Sequence, residues 1–504
     1  MSMKRFVEGE SREQISLLPA CLDDFIDEDN PVRVVEAFIE ALDLEEMGFS
    51  GVNPHSTGRP SYHPSVMLKI YVYGYVNRIH SSRRLEREAG RNVELMWLTG
   101  RLQPDFKTIA NFRKDNGKAI RKVCREFVVV CRKLGLLSQA LVAIDGSKFK
   151  ADNNRDRNLK PSKVARRLQE IEGSIERYLD RLDKADQKAP EIREIQTKNL
   201  GEKIESLKAE VERTRQLEAR MLDTPEKQIS LTDPDARSLR SRGTGIVGYN
   251  VQTAVDSKHS LIVAHEVTNE YSDRGQLFSM ALQAQAAMEV EELEVVADRG
   301  YFKNTEIQAC AESGISVIVP RPQTSHNKAK GLFGREDFHY IPEDDEYRCP
   351  AGDRLIWRMK LQESGLMLNK YWSSNCQSCA LKPKCTTGKE RRVTRWEHEE
   401  VLEAVQDRLD RHPEKMRMRR DTAEHPFGTL KRWMGSDHFL TRTFEQVSTE
   451  MSLHVLAYNM KRVMNIIGID ALIGAIRAFF AIVFCVWAFR RRYPPPGNHP
   501  ALIN

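Results

Sequence analysis

Arg420, Glu424 and Lys431 stand at offsets of 4 and 7 within the stretch Arg419-Arg420-Asp421-Thr422-Ala423-Glu424-His425-Pro426-Phe427-Gly428-Thr429-Leu430-Lys431. On a continuous helix the three fall within about 40° of one face. A carboxylate between two cations suits phosphoryl transfer, with one group to hold Mg²⁺ and two to hold phosphate oxygens. The same triplet also describes an ordinary solvated helix face. Pro426 complicates the geometry, because it lacks the N–H that a helix interior uses. Either the helix kinks there, or it begins near Pro426 with Glu424 just before it. Asp421 and Glu414 are the rival carboxylates in this stretch.

Two further carboxylates end apolar runs. Leu141-Val142-Ala143-Ile144 leads into Asp145-Gly146, and Leu293-Glu294-Val295-Val296-Ala297 leads into Asp298-Arg299-Gly300-Tyr301. Both runs read as buried strands whose first polar residue past the apolar end is an Asp. In open α/β sheets ligands collect at strand ends, so such carboxylates can converge. A single strand-end Asp is more often a turn or N-cap residue.

Together, Asp145, Asp298 and Glu424 resemble the DDE triad of bacterial insertion-sequence transposases with a ribonuclease-H-like core, most nearly the insertion-sequence group numbered eleven-eighty-two. The third stretch is similar to that family's Tyr-x2-Arg-x3-Glu-x6-Lys signature, with Arg420, Glu424 and Lys431 in register. Position 417 is Arg rather than Tyr, so the aromatic member of the signature is missing. Asp298-Arg299-Gly300-Tyr301 matches the family's second-Asp region, and the resemblance runs from about Arg12 to about Met464.

The resemblance implies a metal-dependent DNA transposase acting by cleavage and strand transfer. Asp145, Asp298 and Glu424 would hold Mg²⁺ or Mn²⁺, hard ions that suit carboxylate oxygens. Arg420 and Lys431 would face phosphate oxygens. The implied partners are the inverted-repeat ends of the element and a target DNA, bound by a homodimer or larger assembly. No small-molecule cofactor is implied. Two other readings stay open, a DNA nuclease without strand transfer and an inactive transposase-derived DNA-binding protein.

With 504 residues the chain has room for several domains. Its 78 Lys+Arg against 72 Asp+Glu leave a net charge of only +6, so any nucleic-acid case rests on local clusters. One such cluster is Arg411 to Arg420. Nine irregularly spaced cysteines do not suggest a disulfide framework. The start Met1-Ser2-Met3-Lys4-Arg5 lacks a following apolar core, so a cytoplasmic, nucleoid-associated protein is expected.

Residues 1–135 read as a helical N-terminal domain with a DNA-binding expectation. Ser81-Ser82 offer N-cap hydroxyls to a basic helix, a turn follows at Leu102-Gln103-Pro104-Asp105, and Arg83, Arg84, Arg113 and Lys114 are candidate phosphate contacts. Residues 136–320 read as the first part of an α/β core, a mixed sheet flanked by helices and ribonuclease-H-like by the resemblance. Within it, 155–242 is expected to be an inserted helical hairpin. Leu168, Ile171, Ile175, Tyr178 and Leu182 share one helical spacing, Leu200, Ile204, Leu207 and Val211 another, with a break at Ala189-Pro190. Asp256 reads as a hairpin-turn residue. Residues 411–466 complete the core with the glutamate helix, where Trp433 reads as a core side chain or a base-stacking one.

Residues 321–410 form a Cys-containing insertion. Cys349, Cys376, Cys379 and Cys385, one pair of them as CxxC, suit structural Zn²⁺, and equally suit reduced thiols in a small β-rich lobe. Residues 467–504 are an apolar helix and a disordered tail. The run Ala471 to Phe489 is interrupted by Arg477, so a buried or dimer-interface helix is preferred to a membrane span.

Overall fold

The computed structural model describes residues 21–53, 60–138, 140–153, 157–185, 190–223, 227–241, 244–323 and 326–492. The chain divides into two compact units. One comprises Met1–Leu134, Leu430–Ser436 and Glu445–Asn504; the other comprises Gly135–Thr429 and Asp437–Phe444.

The first unit is helical. Its leading elements are α1 (Pro31–Glu40), α2 (Pro64–Val76), α3 (Ser82–Ala89), α4 (Val93–Thr99), α5 (Phe106–Asp115) and α6 (Gly117–Lys133). Local sequence starts several of them. Asn30 caps α1 through the Val32 N–H at 2.9 Å, and Asp105 caps α5 through Lys107 and Thr108. Ser81 precedes α3 but makes no side-chain cap, contrary to its expected role. α2 is apolar nearly all round, and Leu68, Ile70, Tyr71 and Tyr75 are fully buried, as a central helix requires. Each such side chain contributes roughly 1.5–3 kcal/mol of burial.

A polar knot sits in that core. Arg113 donates to the Tyr75 hydroxyl at 3.1 Å and lies over the Tyr71 ring at 5.4 Å. It is 9% exposed, which removes it from the candidate phosphate contacts. Burial pushes the Tyr71 phenol up to about 12. His454 packs 4.6 Å from the Tyr75 ring, and burial holds its imidazole well below the usual range, helped by His80 and Arg113. Arg83, Arg84 and Lys114 are exposed.

The unit's last helices, Phe444–Ile467 and Ile469–Arg492, break at Gly468, whose φ of +83° turns the chain. The bend between Phe444–Ile467 and Ile469–Ala481 is 112°, and among the described residues no single helix is long and apolar enough to cross a membrane. Leu472 and Ile476 are buried, and Phe480 meets Phe38 of α1 at 6.5 Å. The apolar tail therefore begins as a packed helix; residues 493–504 lie outside the described ones.

The second unit is mixed α/β. In chain order its strands are β1 (Leu141–Lys150), β2 (Asn158–Leu159), β3 (Ile229–Ser230), β4 (Arg237–Ser241), β5 (Thr244–Asp256), β6 (Ile262–Thr268), β7 (Leu293–Ala297) and β8 (Ile315–Ile318), then β9 (His339–Ile341), β10 (Glu346–Arg348), β11 (Arg354–Glu363), β12 (Leu366–Trp372) and β13 (Val393–Trp396). Its helices are α7 (Pro161–Ala185), α8 (Pro190–Leu222), α9 (Leu277–Met288), α10 (Asn304–Glu312), α11 (Lys382–Cys385), α12 (Glu399–Arg411) and α13 (Glu414–Gly428). The main sheet runs β4-β5-β1-β7-β8, with β6 also on β5. β1, β7 and β8 are parallel neighbours, while β5 is antiparallel to β1 and β6. Burial in the middle of the sheet accounts for the apolar run Leu141–Ile144 that opens β1 and for the apolar residues of β7, where only Glu294 is polar.

α7 and α8 leave the sheet after β1 and pack on each other, with Ile171 and Ile204 buried and Arg167 paired to Glu210 at 2.7 Å. Ala189 lies outside the described residues, and α8 opens at Pro190. Asp256 is a turn residue as expected, its Oδ2 accepting from the Lys258 and His259 N–H groups at 2.9 Å. A second sheet, β13-β12-β11-β10-β9, is built from the Cys-containing insertion.

Candidate active site

Register brings the two aspartates together. β1 and β7 pair as Ile144 with Ala297, so the next step along each strand sets Asp145 beside Asp298. Neighbouring strands lie about 4.8 Å apart, so the two carboxylates are side by side, Asp298 just past the end of β7 and Asp145 in mid-strand, because β1 runs on to Lys150 instead of ending at Asp145 as expected. Each is held by the chain that follows it. Asp145 Oδ1 accepts the Gly146 N–H at 2.9 Å, and Asp298 Oδ1 accepts the Gly300 N–H at 2.7 Å, capping the short turn Arg299–Tyr301.

α13 lies over β1, β5 and β7 on the Asp145 face. Its buried positions are Arg419, Thr422, Ala423, Pro426 and Phe427, spaced at i, i+3, i+4, i+7 and i+8. Phe427 meets Phe149 of β1 at 6.2 Å, and Lys415 pairs with Glu294 of β7 at 2.7 Å, which fixes the helix along the sheet. The stripe delivers Arg419 to the site, where its Nη2 is 3.0 Å from Asp145 Oδ2. Arg419 is 9% exposed and its Nε has no hydrogen-bond partner.

Arg420 and Glu424, the pair singled out by the sequence, lie one step round α13 and are exposed. The helix neither starts at Pro426 nor breaks before it. Pro426 falls in the last turn, and the backbone then widens into a π-helical turn, Thr429–Trp433. The widening lies beyond the residues that the missing N–H of Pro426 affects, since that loss falls on the turn before it. Lys431 sits in that wider turn, so the offset of 7 from Arg420 does not run along one α-helix, and the single-face expectation fails for Lys431. Leu430–Ser436 belongs to the helical unit. Trp433 in the same turn is 71% exposed, so it is no core residue.

The opposite face of β1 carries a second polar group. Gly146 and Lys148 stand across from Gln252 and Asn250 of β5. Asp273 accepts from Asn250 Nδ2 at 2.7 Å, Gln252 Nε2 at 2.8 Å and Lys148 Nζ at 3.2 Å. A Cβ on Gly146 would stand 2.5 Å from Gln252 Nε2 and 2.8 Å from Asp273 Oδ1. That crowding is the local reason for Gly after Asp145. The Tyr301 hydroxyl donates to Gln252 Oε1 and ties the Asp298 turn to the same group. Burial raises the Asp145 carboxyl above its ordinary range; the Arg419 guanidinium opposes this, and Asp298 and Asp273 add to it.

Among the described residues, no three His, Cys, Asp or Glu side chains stand close enough to hold a metal ion between them. Asp145 and Asp298 are neighbours, and Glu424 is on the helix above them without closing the set. Oxygen donors of this kind fit a hard divalent ion, and Asp145 Oδ2, held by Arg419, is where the two cations would compete. The four cysteines Cys349, Cys376, Cys379 and Cys385 are free thiols lining one cavity beside the second sheet. Arg419 and Asp273 are the site residues that sequence reasoning missed. The buried stripe through Ala423 and Phe427 carried the signal for Arg419; nothing in the spacing of Asp273 marked it.

Comparison with known proteins follows the same lines. Residues 20–115 match the family described as Transposase domain (DUF772), and residues 348–464 match the Transposase DDE domain. The second range contains Glu424 and the four cysteines, while Asp145 and Asp298 lie outside both. No curated protein matches the sequence. A solved structure, a cryo-EM synaptic complex of piggyBac transposase with hairpin DNA, is similar over 95% of this chain and 88% of that one, at 9% identity and a TM-score of 0.31. So weak a likeness carries no argument. The two domain matches make this chain a DNA transposase, an enzyme of the DDE type whose partner is DNA.

Proposed function

We propose that the chain moves its own mobile element through a ribonuclease-H-like core, cleaving the inverted-repeat ends and joining them to target DNA at one carboxylate site, in the manner of the insertion-sequence group that its motifs resemble. In this reading Asp145 and Asp298 would hold Mg²⁺ or Mn²⁺, and Glu424, the third ligand implied by the resemblance, would have to move in from the exposed side of α13 to complete the set. The observation that carries it is the Ile144–Ala297 register, which sets the two aspartates side by side under a helix that also bears Glu424. A divalent ion held there supplies Lewis-acid polarisation of the scissile phosphate and acidifies the attacking hydroxyl.

The protein's own residues supply the rest. Arg419 holds Asp145 in place and is positioned to exchange that carboxylate for a phosphate oxygen when DNA arrives. Arg420 neutralises non-bridging oxygens from the exposed side of α13. Lys431 is assigned the same role from the sequence pattern alone. Pairing two DNA ends calls for at least a dimer, and such a protein works on the nucleoid.

The test is a strand-transfer assay on the full chain with pre-cleaved ends and Mg²⁺. Joined product is expected from the wild type. With Asp298→Asn it is expected to fall by about 10³-fold or more at unchanged folding. Nicking without joining would make the protein a nuclease, and undiminished turnover by Asp298→Asn would move the chemistry elsewhere.

A further inference from the structure

We propose that the β9–β13 lobe is a zinc-stapled module in which Cys349, Cys376, Cys379 and Cys385 hold one structural Zn²⁺, with Arg391 as the outer-shell cation that steadies the thiolates. This site is separate from the carboxylate pocket and does not depend on its chemistry.

Four observations carry the inference. First, four cysteines from three separate turns line one cavity of about 230 Å³. Second, the turns have the backbone to present sulfur. At Cys349-Pro350-Ala351-Gly352 the Gly352 N–H returns to the Cys349 carbonyl at 2.8 Å, with Gly352 at φ +79°. The CxxC pair straddles the end of the short turn Ser374–Gln377, whose start Ser373 caps through the Asn375 N–H at 3.0 Å. Cys385 closes α11, and the Lys382 N–H that opens this helix bonds to the Cys379 carbonyl at 3.1 Å.

Third, the lobe is short of core. Among the described residues its hydrophobic cluster has five buried members, Phe338, Tyr347, Leu355, Tyr371 and Val393, with Phe333, Tyr340, Cys349 and Cys385 packed against them. A lobe this small usually needs a disulfide or a metal to stay folded. The thiols form no disulfide. Fourth, the cavity holds a cation with an unused donor. Arg391 lies over the Phe338 ring at 5.1 Å, and its Nε is buried without a hydrogen-bond partner. Four thiolates around Zn²⁺ leave a net charge of −2, and a buried N–H beside such sulfurs answers both needs at once.

The sulfurs line the cavity wall rather than meeting at one point. Binding therefore draws the turns inward to Zn–S distances of about 2.3 Å while each thiol gives its proton to solvent. The cysteine and CxxC turns are half-exposed, so this closure disturbs little packing.

Zinc content of the full chain, purified without chelator and passed over a desalting column, gives the test. About one zinc per chain is expected, released in step with mercurial modification of four thiols. Cys376→Ser with Cys379→Ser is expected to abolish it, and Arg391→Gln to weaken retention by about 10–100-fold. Should the double variant misfold, cobalt substitution of the wild type decides, because four thiolates give an intense sulfur-to-cobalt charge-transfer band. A folded wild type without zinc, without that band, and with four freely reacting thiols overturns the proposal. None of these readouts involves DNA chemistry.

Discussion

Two arginines, each 9% exposed, solve the same electrostatic problem in different ways. Arg113 is enclosed in the helical unit, bonded to the neutral Tyr75 hydroxyl and laid over Tyr71, with the buried Glu450 contributing charge from further off. Arg419 is pressed against the Asp145 carboxylate in mid-β1, and its Nε is left without a partner. The first cation has nowhere else to go. The second is held by a carboxylate that the proposed chemistry also needs, and on that proposal its pairing is exchangeable. Burial alone does not separate a structural arginine from a working one; what separates them is whether the partner has another task.

Substitution tests that contrast. Arg113→Met should cost about 3 kcal/mol, because Glu450 is left buried opposite an apolar side chain. Chemical denaturation reads the loss, and strand transfer by the remaining folded protein should be unchanged. An unchanged midpoint would mean that Arg113 carries no structural charge. Gly146→Ala should cost roughly 1–3 kcal/mol as the new methyl displaces Gln252 and Asp273. Its activity should fall further than its stability, since the strand carrying Asp145 shifts with it. Equal losses on both counts would reduce Gly146 to a packing residue.

Arg419→Gln sharpens the other side. With the competing cation gone, the Mg²⁺ concentration for half-maximal strand transfer should drop several-fold. The maximal rate should drop too, since a phosphate contact is lost. If neither moves, Arg419 is as structural as Arg113.

The smallest effect concerns His454. Its folded imidazole titrates well below the ordinary range, so between that point and about 6.5 the unfolded chain binds the extra proton. Stability should therefore be full above the ordinary histidine range and decline as pH falls through it, by at most about 1.4 kcal/mol per pH unit. His454→Phe should flatten this decline in denaturant midpoints taken between pH 7 and 5; an equal decline in the variant would assign the acid sensitivity to other groups.

Much of the site was legible because its signals are local. An apolar run ending in Asp pointed to Asp145 and Asp298, and the offsets of Arg420 and Glu424 pointed to a helix there, whose start the sequence left open between a kinked helix and one beginning near Pro426. Arg420 was preferred to Arg419 because a motif gives spacing but not which helix face is buried. That face is set by Ala423 and Phe427 packing on β1. Lys431 slipped from register because the helix gives way to a wider π-helical turn after Gly428, a backbone change that residue spacing does not encode. Asp273 was invisible because its meaning comes from Asn250 and Gln252 on a strand some twenty residues earlier and from Lys148, more than a hundred residues earlier on β1.

The pairing of Ile144 with Ala297 spans about 150 residues, with α7 and α8 lying between. Contacts so distant in sequence form late, after the intervening chain has been organised. A ribosome that has not yet reached Ala297 carries the first aspartate and no partner for it. On the proposed function, a copy truncated before Asp298 carries one aspartate alone and is expected to leave DNA uncut.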